Sequence, residues 1–475
     1  MSITVYIALF GWIPAVLLMF MCLPPRRAVI VALIVGFLFL PVASIKFGEG
    51  IPLFNKVTAT CLGVLLGSLF FDHARLLALR PRWIDLPMIA WCFCPFFSSL
   101  HNDLGIYDGC SAVLYQTIDW GIPYFIGRVY FSDFDGVQEL AVGIFMGGLA
   151  YVPFCLYEIR MSPQLHTMIY GFYQHDFAQT IRFGGWRPTV FMEHGLAVGL
   201  WMAMASLLGV WLVFSGVVKN ILGLNAVACV VLLLITTVLC KSTGATILLA
   251  TGLAVLFAGR YLRTRLVFVA LLLIAPAYMA FRSSSVWDGS TIVALSKEWV
   301  GPDRAESLAF RIRNEDMLAA KAFQQPIVGW GRWGRARVYD ETGRDISVTD
   351  GFWVITLGAC GILGLTTVTL VLLLPASVLA RRIPPVEWAK PQYAAPVAMG
   401  VMLGLYMIDN LSNAMINPIF ILSAGGVSGY LLVRTAPKST KVPSPALGGK
   451  TSSLIPGDQR IPAVAVTPIR HGLYP

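Results

Sequence analysis

The sequence predicts an all-α polytopic membrane protein with about twelve to thirteen transmembrane helices and one large loop on one face. Three observations predict it. The residues are 57% hydrophobic and only 13% charged, against roughly 45–50% and 25% in soluble chains. Apolar stretches near the ~20 residues that cross a bilayer recur along most of the 475 residues. One long polar interval, 282–349, interrupts them.

Taken in order, the first apolar segment is 5–23. It lacks a small-residue cleavage site and runs into "PPRR" and a second apolar segment, so it reads as a span rather than a removed signal peptide. Spans follow at 28–45, 57–71 and 84–100. The next, 114–131, is interrupted: "LYQTIDWGIPYFIGR" carries Asp119, a proline and a glycine. Such residues are tolerated at membrane depth where they face protein or a watery cavity. Further spans are expected at 137–157, 190–214, 222–240, 244–260, 264–281, 350–379, 394–413 and 416–433. Asp409 and Asn410 interrupt the penultimate one within "YMIDNLSNAMINP", where they either hydrogen-bond between helices or shape a cavity. Seven of the nine cysteines lie in apolar runs. Their spacing fits no zinc site, and they read as small buried hydrophobes.

Lysine and arginine set the orientation. With "PPRR" inside, the alternating set of loops at 24–27, 72–83, 128–136, 215–221, 260–265 and 380–393 carries thirteen basic residues with its borders. The opposite short loops carry six. The N-terminus is then outside, the C-terminus cytoplasmic, and the loop 282–349 outside. The chain divides into a bundle (1–281), the loop domain (282–349), C-terminal helices (350–433) and a proline- and serine-rich tail (434–475). That tail is expected to be disordered. No internal repeat is evident.

The loop holds ten basic and nine acidic residues, unevenly distributed. "RAESLAFRIRNEDMLAAKAFQQP" (304–326) reads as a helix stopped by Pro326. "VGWGRWGRARVY" (328–339) then gathers three arginines and two tryptophans with no acid. Arginine suits bidentate phosphate binding, although beside a membrane it also snorkels to headgroups. Arg311 and Arg313 lie about 200° apart on a helix, so one of them faces a given phosphate. No external acidic cluster resembles a magnesium–diphosphate site, so arginines are left to meet an anion's charge.

These residues also carry a resemblance. "FRIRNEDMLAAKAFQQPIVGWGRWGR", followed by "DGFWVITLGACGILGL", resembles the signature region of the O-antigen ligase and polymerase superfamily. There a helical arginine is followed by P-hydrophobic-hydrophobic-G-x-G, then H-N-x-aromatic, then a span with G-hydrophobic-hydrophobic-G. "YFIGRVYF" (124–131), "RPTVFMEHG" (187–195) and "CKSTGATILLA" (240–250) are similar to three further family segments in the same order. The chain departs at three positions. Asp350 stands where ligases have histidine, Thr243 replaces a turn arginine with Lys241 two residues before it, and His194-Gly195 replaces proline-asparagine.

The resemblance implies a GT-C-like glycosyltransferase of the bacterial inner membrane with a periplasmic site. It implies an undecaprenyl-diphosphate-linked oligosaccharide as donor and a glycan hydroxyl as attacking group, with neither metal nor other cofactor. Loss of the ligase histidine points to a polymerase of an exported polysaccharide, with ligase-type transfer to a separate acceptor as the alternative. A flippase and a chain-length regulator become expected partners beside the bilayer, and nucleic acid does not. Arg311 or Arg313, with Arg332 and Arg335, is expected to bind the diphosphate, and Arg187 and Lys241 to support them. Asp350, Glu193 or His194 is the expected base. For Asp350 the competing role is the N-cap of the following span, and for Glu193 and His194 it is capping of the helix after 190. Trp330 and Trp333 either stack on sugars or anchor at the interface. A transporter of lipid-linked or anionic solute, coupled through Asp119 and Asp409, is the reading from another class.

Overall fold

The computed structural model describes residues 2–433 apart from 222, 285, 286 and 300, with the side chains of 303, 304 and 307 also left out. The tail 434–475, expected to be disordered, lies outside the described residues. Its predecessor, Met1–Val433, forms one compact unit.

The elements are helices almost throughout. They are α1 (Ile3–Cys22), α2 (Pro25–Phe39), α3 (Lys56–Phe71), α4 (His73–Leu77), α5 (Leu86–His101), α6 (Gly105–Gln116), α7 (Ile122–Tyr130), α8 (Phe134–Met161) and α9 (Leu165–Tyr170). After these come α10 (Gly195–Phe214), α11 (Ala226–Leu239), α12 (Thr243–Leu262), α13 (Leu266–Ser283), α14 (Ser290–Trp299), α15 (Pro302–Ala322), α16 (Phe352–Arg382), α17 (Pro391–Ser412) and α18 (Pro418–Leu432). Two minimal hairpins, at 181–186 and 220–225, are the described sheet.

Twelve of the thirteen expected spans each overlap one helix, whereas 114–131 is divided among the end of α6, a π-helical turn and the nine-residue α7. Among the described residues, eight helices are long and apolar enough to cross a membrane, while α3, α11 and α18 are apolar but shorter. The starts follow local rules. Asn55 caps α3 by accepting from Val57 and Thr58 N–H at 2.9 and 3.0 Å, and Asp133 caps α8 through Gly136 N–H at 2.8 Å. Proline opens α2, α15, α17 and α18, where its missing N–H costs nothing.

Burial sorts the helices into layers. The apolar window of α17 is 89% buried and that of α10 is 78%, against 22% in α1. The first two therefore form the centre, and α1 presents most of its surface outward.

Two elements differ from expectation. The interval 101–113, left between the spans expected at 84–100 and 114–131, is mostly α6, and Cys110 is an exposed residue of that helix. The interrupted span is continuous with it, because a π-helical turn at Thr117–Gly121 carries Asp119 between α6 and α7. The extra residue of a π turn absorbs the irregularity that a proline and an acid impose.

The loop 282–349 contains α14 and α15. An ionic group centred on the buried Arg282 fixes α15 to the bundle: Arg282 of α13 meets the buried Glu315 at 3.5 Å and the exposed Asp316 at 2.8 Å. Tyr278 donates to Glu315 at 2.7 Å, and Trp353 of α16 donates to it at 3.4 Å. Burial raises the Glu315 pKa, and the Tyr278 hydrogen bond is the largest opposing effect.

Candidate functional site

The segment "PIVGWG" does not hang free. The helix α16 breaks at Gly361, whose φ of 65° and ψ of −166° lie outside helical space, and the loop fills the break. Trp330 and Gly331 N–H donate to Gly358 and Ala359 carbonyls at 2.8 and 3.0 Å. In return, Ile362 and Leu363 N–H donate to Pro326 and Ile327 carbonyls at 2.8 and 3.2 Å. Backbone groups freed by breaking a spanning helix must be re-satisfied inside protein, and this exchange does so. It also explains the glycines. A Cβ on Gly361 would lie 2.3 Å from the Ile327 carbonyl oxygen, and one on Gly329, at φ +72°, would lie 2.6 Å from the backbone of Ala359 and Cys360. Close approach of chain to chain requires them, and no phosphate need be invoked.

That docking fixes the end of α15 through Lys321, whose ammonium lies 3.8 Å from the Trp330 ring centroid and whose carbonyl accepts from Trp330 Nε1 at 2.8 Å. With Arg282 holding Glu315, one face of α15 is set against the bundle. Arg311 lies on that side, half-buried, whereas Arg313 is exposed. The Arg311 guanidinium meets Asp350 at 3.5 Å and donates to the Ser412 carbonyl at 3.2 Å. The second contact places a cation at the C-terminus of α17, where the helix dipole favours it.

Arg311 lines a cleft of about 350 Å³ together with Arg187, Ser242, Thr243, Gly244, Ser412 and Asn413. Arg187 is buried and donates to the Lys241 carbonyl at 3.2 Å. Ser242 is the N-cap residue of α12, a helix of 20 residues. The N–H groups of a first helical turn lack intrahelical partners and carry partial positive charge. Two arginines and a long helix's N-terminus thus converge on one space, an arrangement suited to an anion with more than one charged oxygen.

The remaining expected residues are placed as follows. Asp350 is not the cap of α16. The N-cap is Gly351, without a side-chain bond, and the Asp350 carboxylate instead faces Arg311. Lys241 turns its ammonium toward the Phe183 carbonyl at 3.4 Å, beside the cleft. Arg332 turns away from the cleft: its guanidinium lies 4.0 Å from the Tyr115 ring centroid, and neighbouring Trp333 donates to Asp108 at 2.6 Å. Burial lowers the Arg332 pKa, with Tyr115, Asp119 and Asp108 opposing. Arg335 is exposed, and Arg337 pairs with Asp345. Glu193 lines a separate small cavity with Lys56, Met415 and Asn417. Asp409 accepts from Asn413 Nδ2 at 2.9 Å, near the cleft wall. Arg128 of "YFIGRVYF" forms a buried two-point pair with Asp85 at 2.7 and 3.1 Å.

His194 caps α10. Its Nδ1 accepts the Leu196 N–H at 2.9 Å, so the neutral ring carries its proton on Nε2, directed to Gln179 Oε1 at 3.2 Å. Burial, followed by His175 and Arg187, pushes its pKa down to about 3. Both ring nitrogens are committed to these bonds.

The sequence singled out the turn at 240–250 for Lys241 and Thr243 but not for the helix N-terminus that it opens, nor did it single out the wall formed by Ser412 and Asn413. The signal for that N-terminus lay in the same stretch, "CKSTGATILLA", a polar turn opening a long apolar helix. Among the described residues, no group of three or more His, Cys, Asp or Glu side chains is placed to hold a metal ion. Compared with known proteins, this all-α membrane chain matches no family model and no curated sequence.

Proposed function

We propose that the chain is a glycosyltransferase of the O-antigen ligase and polymerase type, acting as polymerase of an exported bacterial polysaccharide. It works in the inner membrane with its cleft at the periplasmic face and its C-terminus in the cytoplasm. The donor is an undecaprenyl-diphosphate-linked glycan, and the acceptor is a hydroxyl of another repeat unit. A flippase that delivers the donor and a chain-length regulator are its partners.

The observation that carries this reading is the cleft, where Arg187, Arg311 and the first turn of α12 converge with Asp350 held at 3.5 Å from Arg311. In the reaction the acceptor oxygen attacks the anomeric carbon, and the bond from that carbon to the diphosphate oxygen breaks. The departing diphosphate takes the electron pair, its charge met by the two arginines and the α12 N–H groups. For this, Arg311 turns from Asp350 to the diphosphate as the donor binds, and the freed carboxylate accepts the hydroxyl proton during the attack.

Single variants test the assignment in the native host. Arg311→Ala and Asp350→Asn are each expected to lower polymer at least about 100-fold, the scale of removing one charge-stabilising or proton-accepting group, with membrane protein levels maintained. Arg313→Ala and Arg335→Ala are expected to retain polymer. Polymer that survives Arg311→Ala, or is lost only on changing Asp119 and Asp409, contradicts the reading and favours transport.

A further inference from the structure

A second basic recess lies at the other end of the bundle. The helix α16 starts beside the cleft at Phe352 and ends at Arg382, whose guanidinium donates to the Leu431 carbonyl near the end of α18. Next to that terminus, Leu432, Val433 and Gly429 form one wall of an open recess of about 570 Å³. Arg75, Arg80, Arg82 and Arg128 line it, with Trp83 and Ser132.

The charge there is only half met. Asp85 takes both arms of Arg128, and Asp72 lies 3.6 Å from Arg75, whose guanidinium also sits 5.4 Å from the Tyr130 ring centroid. Neither aspartate leaves charge over for Arg80 and Arg82, which are exposed. Beside them Leu77, Trp83 and Leu86 are 81%, 51% and 60% exposed. Exposed apolar side chains next to arginine, at the end of a spanning bundle, suit a ligand with an anionic head and a hydrocarbon tail. Trp83 is placed as an interfacial anchor.

We infer that this recess binds the phosphate of an anionic lipid headgroup, with Arg80 and Arg82 as the charge partners and Arg75 and Ser132 beside them. Basic pockets between helices at a membrane surface hold such heads, and arginine presents a fork that matches a phosphate diester. The site is independent of the cleft and of the proposed glycosyl transfer. The Arg128–Asp85 pair is its structural floor, so substitution there disturbs folding as well as binding.

Native mass spectrometry of the purified full chain tests it, with phosphatidylglycerol or phosphatidylcholine as added lipid and inorganic pyrophosphate as soluble competitor. The wild type is expected to retain one phosphatidylglycerol at least tenfold better than phosphatidylcholine, with retention falling as salt rises. In the R80Q/R82Q double variant that preference is expected to disappear, while K219Q, a basic residue outside the recess, keeps it. The wild-type lipid preference is read without any variant, so misfolding of the double variant leaves it intact. Equal retention of the two lipids overturns the inference, as does equal loss in K219Q. Displacement by micromolar pyrophosphate shows a soluble-phosphate site and overturns it too.

Discussion

His194 spends its Nδ1 lone pair on the Leu196 N–H, and that fixes its response to acid. A free histidine takes a proton near pH 6.5, whereas burial and cationic neighbours hold this one down to about 3. Between those values the unfolded chain binds more protons than the folded one. The stability contributed is therefore complete above about pH 6.5 and is lost as pH falls towards 3. Thermal unfolding in detergent is expected to show a melting temperature that drops from pH 7 to pH 5. The His194→Asn variant, a comparable cap with nothing to protonate, is expected to drop less, and equal slopes would remove the cap's role. At this scale the sequence was partly legible. Helical geometry said that only one of Arg311 and Arg313 faces a site, and the structure turns Arg311 inward. It could not say that Asp350 pairs with Arg311 rather than capping α16, nor that Arg332 turns to Tyr115. Those outcomes depend on residues far apart in the chain.

The break in α16 belongs to the scale of elements. Its cost is repaid by the exchange of four backbone hydrogen bonds with the loop 326–331, and Gly361 permits both the turn and the approach. Gly361→Ala puts a side chain at φ +65° and against the Ile327 carbonyl, so a loss of about 1–3 kcal/mol is expected from backbone strain. It reads as a lower melting temperature with the loop more open to protease. An unchanged melting temperature would mean that the loop is not what holds the break. The helices themselves were legible because apolar runs near 20 residues have few alternatives. The π turn at Thr117–Gly121 was visible only as a proline, a glycine and an acid in an apolar run. The pairs that brace these elements, Arg282 with Glu315 and Arg128 with Asp85, were not legible, because a single sequence does not report which charges meet across 33 or 43 positions.

For the whole molecule, the two ends of the bundle differ in kind: one carries the cleft, the other the four-arginine recess. The positive-inside rule assigns the recess to the cytoplasm. Single cysteines in a cysteine-free background check this. Gly343→Cys is expected to react with an impermeant maleimide from outside intact inner-membrane spheroplasts, and Arg80→Cys only after lysis. The reverse pattern would invert the topology and place the cleft where no exported glycan waits. The reaction itself is tested most directly with purified protein in nanodiscs, given undecaprenyl-diphosphate oligosaccharide from its own host and no metal or nucleotide sugar. A ladder of longer lipid-linked glycans, with undecaprenyl diphosphate released in proportion and both absent in Arg311→Ala, is expected. Transfer only to a separate acceptor would make it a ligase, and movement of intact donor across the bilayer with no new glycosidic bond would contradict the proposal.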